Sequence, residues 1–424
     1  MKSKGFTMIE LLGIITILAV ILLVSFPTLI NVTRRDKERQ YNDMVATLCK
    51  AGETYIYDNL DEYTEIGTIG NIMYIDIDEL IDAGLVGRSQ KNPKTESNIS
   101  GNIKYIVQSD KSLKCFYDEN MPISNMLIET SDDYSKFLNT NVRSSKIIKL
   151  QIHNDGINIT SDYESTDCSY AQDESVKCYW KEDIEKEGYY EMNIAASGTI
   201  YTPYNSTNLF YALGNYDYDK KINKIDLTGI NTKYTKNMYA MFSNVNAKEL
   251  DLGNQFITKN VTNMGGMFNS AYFEIINLGD KFDTRSVTDM HQMFYENIDL
   301  ISLNLGDKFD TKNVANMNSM FANCNSLANL DLKDKFDTSN VTDMSAMFLG
   351  LSSIENLKLG RKFDIPNNIA SKIRIFYKCG RSGTLTHVIV PNQTLKDKIL
   401  NLTSPDDVPD FWKENNGAII QVES

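Results

Sequence analysis

Few residues in this chain are placed to do chemistry, and the first of them is a carboxylate where none is expected. Glu10 lies inside an apolar run from Phe6 to Ile30. A charge in the middle of such a run costs roughly 2.5–3.5 kcal/mol or more in a bilayer, so its presence predicts a function. The three histidines, His153, His291 and His387, stand singly. No Gly-x-Ser-x-Gly, His-Glu-x-x-His or phosphate-binding glycine loop accompanies them. The sequence therefore predicts no enzyme, no cofactor and no metal site. Six cysteines offer redox chemistry. Cys168 and Cys178 flank a short acidic loop and form the first candidate disulfide; Cys49 and Cys115 form the second.

The element that must carry Glu10 is a long helix. Phe6 to Ile30, at ~1.5 Å per residue, crosses a ~30 Å hydrocarbon layer. Gly5 followed by Phe6-Thr-Met-Ile-Glu10 resembles the class III signal of type IV prepilins and pseudopilins. That resemblance implies a prepilin peptidase that cuts after Gly5 and methylates Phe6. It also implies that Glu10 neutralises a neighbouring subunit's N-terminal amine during assembly, so other pilin subunits become partners. Residues 6–30 would pass through the cell membrane once, with the C-terminal part extracellular, on the cell surface or a pilus. A secretory signal peptide has a shorter apolar core and a small-x-small site, which Ser25-Phe26-Pro27 does not supply. An uncleaved anchor requires neither Gly5 nor Glu10. Counting Lys2 and Lys4 against Arg34, Arg35, Lys37 and Arg39 gives the opposite topology, unless that second cluster rides on a continuing helix.

Continuation is what the pattern predicts. Tyr41, Met44, Val45, Leu48, Tyr55 and Ile56 keep a loose helical spacing, so residues 1–5 read as a leader and 6–60 as one spine helix. Over residues 61–128 a short helix, Ile75 to Val86, precedes two alternating segments, Gly101–Val107 and Ser112–Tyr117. This order resembles a Gram-positive pilin or pseudopilin head. Residues 129–204 read as a β-rich segment that caps a repeat array.

The array itself is plain in the sequence. Lys281-Phe-Asp-Thr284 through Met293-Phe294 recurs from Lys308 to Phe321 and from Lys335 to Phe348. Met-Phe pairs end at Phe242, Phe268, Phe294, Phe321 and Phe348, in steps of 26 or 27. Leucine-bearing runs end at Leu227, Leu252, Leu278, Leu305, Leu332 and Leu359, with a seventh ending at Val390. Such a period is a leucine-rich-repeat signature. The short run reads as a strand, and Val-x-x-Met-x-x-Met-Phe as a helical return. Methionines at i and i+3 could hold copper, but adaptable core packing is the reading adopted. The Lys-Phe-Asp-Thr and Val-Thr-Asp-Met units resemble BspA-type leucine-rich-repeat surface proteins. Residues 205–424 would form the solenoid and its C-terminal cap. Cys324 and Cys379 fall two rungs apart, ~10 Å, beyond the ~7 Å reach of a disulfide, and are expected as buried free thiols.

The expected fold is thus α+β: a long N-terminal helix serving as transmembrane segment and filament core, a small hairpin head, a β-rich segment and a β/α solenoid. The net charge of −13 disfavours nucleic acid. The expected function is a minor pilin-like subunit that presents the repeats for adhesion. Alternatives are a pseudopilin of a secretion or DNA-uptake machine, or a membrane-anchored surface protein outside any filament. The ligand, a carbohydrate or a protein, would meet an outward column of Asp226, Asp251, Asn277, Asn304, Asp331 and Lys358. A merely solvated strand face is the competing reading.

Overall fold

The computed structural model describes residues 35–423 apart from 61–62, 64–65, 67–68, 70–71, 119–124, 131–135, 139, 155–156, 158–159, 215–220, 367–372, 381–386, 403–407, 410–411 and 413–419. Two compact units divide the chain, Met1–Pro122 and Ile123–Ser424.

In the first unit a helix, α1, covers residues 35–58. Met44, Leu48, Tyr55 and Ile56 are buried on one face while the other stays in solvent, the arrangement a 3.6-residue period produces. Strand β1 (Ile72–Asp76) runs into α2 (Ile77–Asp82), and Asp76 caps that helix by accepting the Asp78 N–H. β1 pairs antiparallel with β2 (Asn102–Val107), and β2 with β3 (Leu113–Asp118). A disulfide joins Cys49 of α1 to Cys115 of β3 across a Cα separation of 6.0 Å. Beside it, the Tyr105 hydroxyl donates to the Cys49 carbonyl. Gly52 is required there, because a Cβ would collide with that hydroxyl.

The expected long-helix architecture is corrected. Strands carry most of the regular structure, seventeen of them among the described residues, so the fold is β-rich and not built on a spine. No described helix is long and apolar enough to cross a membrane. Arg35, Asp36, Lys37, Glu38 and Arg39 open α1, whose apolar stripe is narrow and already covered within its own unit. Residues 6–30, with Gly5, Phe6 and Glu10, lie outside the described residues. A pilin-type N-terminus, a single-pass membrane anchor and a transmembrane spine find no support among the described residues.

The second unit begins with four strands, β4 (Ile147–His153), β5 (Glu164–Asp167), β6 (Val176–Asp183) and β7 (Lys186–Ala196), in the order β4-β7-β6-β5. Only β4 and β7 run parallel. Cys168, just past β5, is disulfide-bonded to Cys178 of β6. Two-residue strands β8 (Ile200–Tyr201) and β10 (Ile230–Asn231) pair parallel.

Rungs then stack. β9 (Ile222–Asp226), β11 (Ala247–Asp251), β12 (Ile275–Asn277) and β13 (Ser302–Asn304) form one parallel sheet. β14 (Asn329–Asp331), β15 (Asn356–Lys358), β16 (His387–Val390) and β17 (Ile420–Val422) form a second. Inside, one phenylalanine per return stacks on the next: Phe210, Phe242, Phe268, Phe294, Phe321, Phe348 and Phe376, with centroids 5.3–5.8 Å apart. Trp412 closes the stack over Phe376 at 5.4 Å. Each ring adds roughly 1.5–3 kcal/mol of burial, and pairing at such separations adds about 0.5–1.5 kcal/mol.

The returns differ from expectation. They are chains of turns, not helices. The N–H groups of Met264, Gly266, Phe268 and Ser270 donate to the carbonyls of Asp289, His291, Met293 and Tyr295 on the next rung, at 2.7–3.0 Å. Those donors cannot also close i to i−4 bonds, so the helix is lost to a second inter-rung ladder. Every return places two left-handed residues four apart. Ala240, Gly266, Gln292, Ser319 and Ala346, and then Asn244, Ser270, Glu296, Asn323 and Gly350, have φ between 51° and 73°. The inward methionines from Met238 to Met347 are fully buried beneath these turns.

Candidate binding face

Side chains alternate along a strand, so each rung shows two outward residues around one inward apolar residue. Ile225, Leu250, Ile276, Leu330 and Leu357 point in and are buried. Lys224, Glu249, Ile275 and Ser302 align outside in one column. Asp226, Asp251, Asn277 and Asn304 make the other; Asp331 and Lys358 continue its pattern on the second sheet. The column expected to meet a ligand thus lies on one strand face.

Five members of that column also hold the turns that leave the strands. Asp226, Asp251, Asn277, Asn304 and Asp331 accept the N–H of Thr228, Gly253, Gly279, Gly306 and Lys333 at 3.0, 3.0, 3.3, 3.1 and 2.9 Å. These are Asx turns. They deliver the chain into left-handed conformations at Gly253, Gly279, Gly306 and Lys333, with φ of 68°, 72°, 74° and 64°. Turn chemistry alone is enough to select Asp or Asn at these positions. Lys358 is ion-paired to Glu423 at 2.9 Å. Amides also ladder between rungs, Asn304 to Asn277 at 3.1 Å and Asn356 to Asn329 at 2.7 Å.

The face is not flat. A cleft of about 460 Å³ opens across β9, β11 and β12, lined by Lys224, Glu249, Asp251, Ile275 and Asn277 with the backbone at Gly253 and Gly279. The Lys224 ammonium lies 2.7 Å from Asp251 and 3.8 Å from Asp226. Its hydrogen bond to Asp251 raises the lysine's pKa and holds the carboxylate below its ordinary range. Glu249, the next outward residue, adds its charge to those of Asp251 and Asp226 in raising the Lys224 pKa. Ile275 is 47 % exposed. Sequence reasoning missed Lys224, Glu249 and Ile275. Their signal was present, since each stands two positions before a member of the chosen column and so shares its face.

The remaining candidates sit elsewhere. Cys324 and Cys379 are buried free thiols; burial pushes Cys324 up to about 12 and Cys379 upward as well. His153 meets the Asn193 amide at 2.9 Å, His291 meets Asp289 at 2.8 Å, and His387 meets Gln421 at 3.1 Å. No cluster able to hold a metal ion occurs among the described residues.

Residues 203–278 and 273–382 match a family model described as a Mycoplasma protein of unknown function, DUF285. The match lies entirely within the second unit, over most of the rungs, and its description names neither a pilus nor a ligand. No curated protein and no solved structure matches the chain. The chain is a repeat protein, and the matched segment is its repeats.

Proposed function

We propose that this is a surface repeat protein whose stacked rungs form a binding module used for attachment. The observation that carries the reading is the cleft on the strand face: a concave, mixed polar and apolar opening on an otherwise regular ladder, of a size suited to a side chain or small ligand. Repeat stacks offer extended faces of this kind for recognition. Two disulfides support an oxidising setting outside the cytoplasm. Histidines tied singly to structural partners support a non-catalytic role. The acidic balance supports a partner other than nucleic acid.

The test uses beads coated with the full chain on a cultured-cell monolayer. Ile275→Lys with Ser302→Lys alters the outward face without touching an Asx turn. Attachment should fall at least tenfold while stability stays within roughly ±0.5 kcal/mol. Undiminished attachment by the folded variant would exclude the strand face as the contact surface.

A further inference from the structure

We propose that the cleft across β9, β11 and β12 receives an arginine or lysine side chain from an exposed segment of a protein partner. This rests on the strand face being a binding surface, and it specifies what the cleft takes.

Charge favours a cation. Two carboxylates, Glu249 and Asp251, line the cleft against one ammonium, Lys224. That ammonium is held by Asp251 at 2.7 Å and leans toward Asp226 at 3.8 Å. Glu249 acts on that ammonium through its charge alone and is the carboxylate the resident cation engages least. An anionic ligand would meet an excess of negative charge, whereas a cation completes the balance.

Shape and apolar surface favour a side chain with a stem. Beside Glu249 the same column presents Ile275, a large aliphatic side chain nearly half in solvent. A basic side chain has that dual character, an aliphatic stem ending in a charged head. Stem on Ile275 and head on Glu249 satisfies both groups at once. The Asn277 side chain, whose oxygen accepts from Asn304 and from the Gly279 N–H, keeps its amide N–H groups for the partner's backbone carbonyls. Among the described residues no aromatic side chain lines the cleft, so a sugar ring would find no ring face to lie on. An exposed ion pair is weak by itself, and the partner must add contacts along the amide ladders.

The experiment is methyl NMR on the full chain with labelled isoleucine, titrated with N-acetyl-arginine amide, N-acetyl-leucine amide and methyl glucoside. Arginine amide should shift the Ile275 methyls saturably, and the shift should shrink in about 0.5 M salt as screening shortens the field. Glu249→Gln, an exposed substitution, should weaken that binding at least threefold. Shifts produced by the glucoside and not by arginine amide would overturn the proposal in favour of a sugar site. Equal titration of the Glu249→Gln variant, or no shift with any probe, would overturn it too. If arginine amide fails while Ile275→Lys with Ser302→Lys still abolishes attachment, the face binds by other means and only this proposal falls.

Discussion

Thr311 donates its hydroxyl to the Asp337 carbonyl at 2.8 Å and accepts Asp337's own N–H at 2.7 Å. One fully buried side chain thus satisfies both backbone groups of a residue on the next rung. Thr284 does the same for Asp310, at 2.8 and 2.7 Å, and Thr338 for Asp364, at 2.6 and 2.8 Å. The Asp carboxylate turns the other way, accepting the N–H two residues on, as Asp337 does from Ser339 at 3.0 Å. The recurring Lys-Phe-Asp-Thr unit is therefore a rung-to-rung fastener with its phenylalanine in the core.

Thr311→Val keeps the shape and removes both bonds. A buried N–H and a buried carbonyl are then stranded, so unfolding free energy should drop by about 1–3 kcal/mol. Thr311→Ser, which keeps the hydroxyl, should lose less than Thr311→Val. Urea unfolding of the two variants checks this, and equal losses would remove the hydroxyl from the explanation.

Ala346 sits in the left-handed region at φ 56° where the equivalent residue of an earlier return is Gly266. A side chain there costs roughly 1–2 kcal/mol, and glycine's extra freedom in the unfolded chain returns about 0.5–1 kcal/mol of that. Ala346→Gly should stabilise the protein by about 0.5–1 kcal/mol, read as a higher urea midpoint at unchanged slope. Gly266→Ala should do the reverse, since a Cβ there meets only an ordinary contact with Asn269. A lower midpoint for Ala346→Gly would mean that the turns are not strained.

The hydrogen bond that the His291 ring donates to Asp289 raises the pKa of His291 against the opposing effect of burial. A folded value above the unfolded one, near 6.5, means that the stabilisation is complete below that pH and is lost as pH rises through the folded pKa. For Asp289 burial pushes upward, but the hydrogen bonds from the His291 side chain and backbone outweigh it and lower the carboxylate. Its contribution is present above the ordinary value near 3.9 and is lost as pH falls through the lowered pKa. Stability should therefore decline between about pH 6 and 8 in the parent and be flatter there in His291→Asn. Denaturant midpoints across that range, with an NMR titration of the His291 ring, provide the check.

Iodoacetamide should label no cysteine in the native, non-reduced chain and two after unfolding, because Cys324 and Cys379 are buried with raised pKa values and the other four are bridged. Breaking Cys49–Cys115, which closes 66 residues, should destabilise its unit by about 4 kcal/mol. Cys168–Cys178, which closes 10, should contribute about 2.5–3 kcal/mol. Intact mass after labelling distinguishes these states; native labelling of Cys324 would contradict the buried position.

The sequence by itself determined the period, the inward columns and the spacing of the phenylalanines, because a repeat every 26 or 27 residues forces equivalent side chains into equivalent places. It could not determine the shape of the returns. Methionines at i and i+3 suit one helix face and equally suit a run of turns. The choice is made by where the N–H of Gly266 goes, and its partner, the His291 carbonyl, exists only once rungs stack. The acids and amides of the outward column were visible as a column. That Asp251 spends one oxygen on the Gly253 N–H and another on Lys224 of the preceding rung was not, since both depend on register. Nor could composition show that the apolar residues of α1 would be covered by a β-sheet and a disulfide within a β-rich fold. Burial of Leu48 and Ile56 is a property of what packs against them. Local pattern fixes which residues turn inward together; which backbone groups pair, and which outward groups stay free to bind, is decided by neighbours distant in the chain.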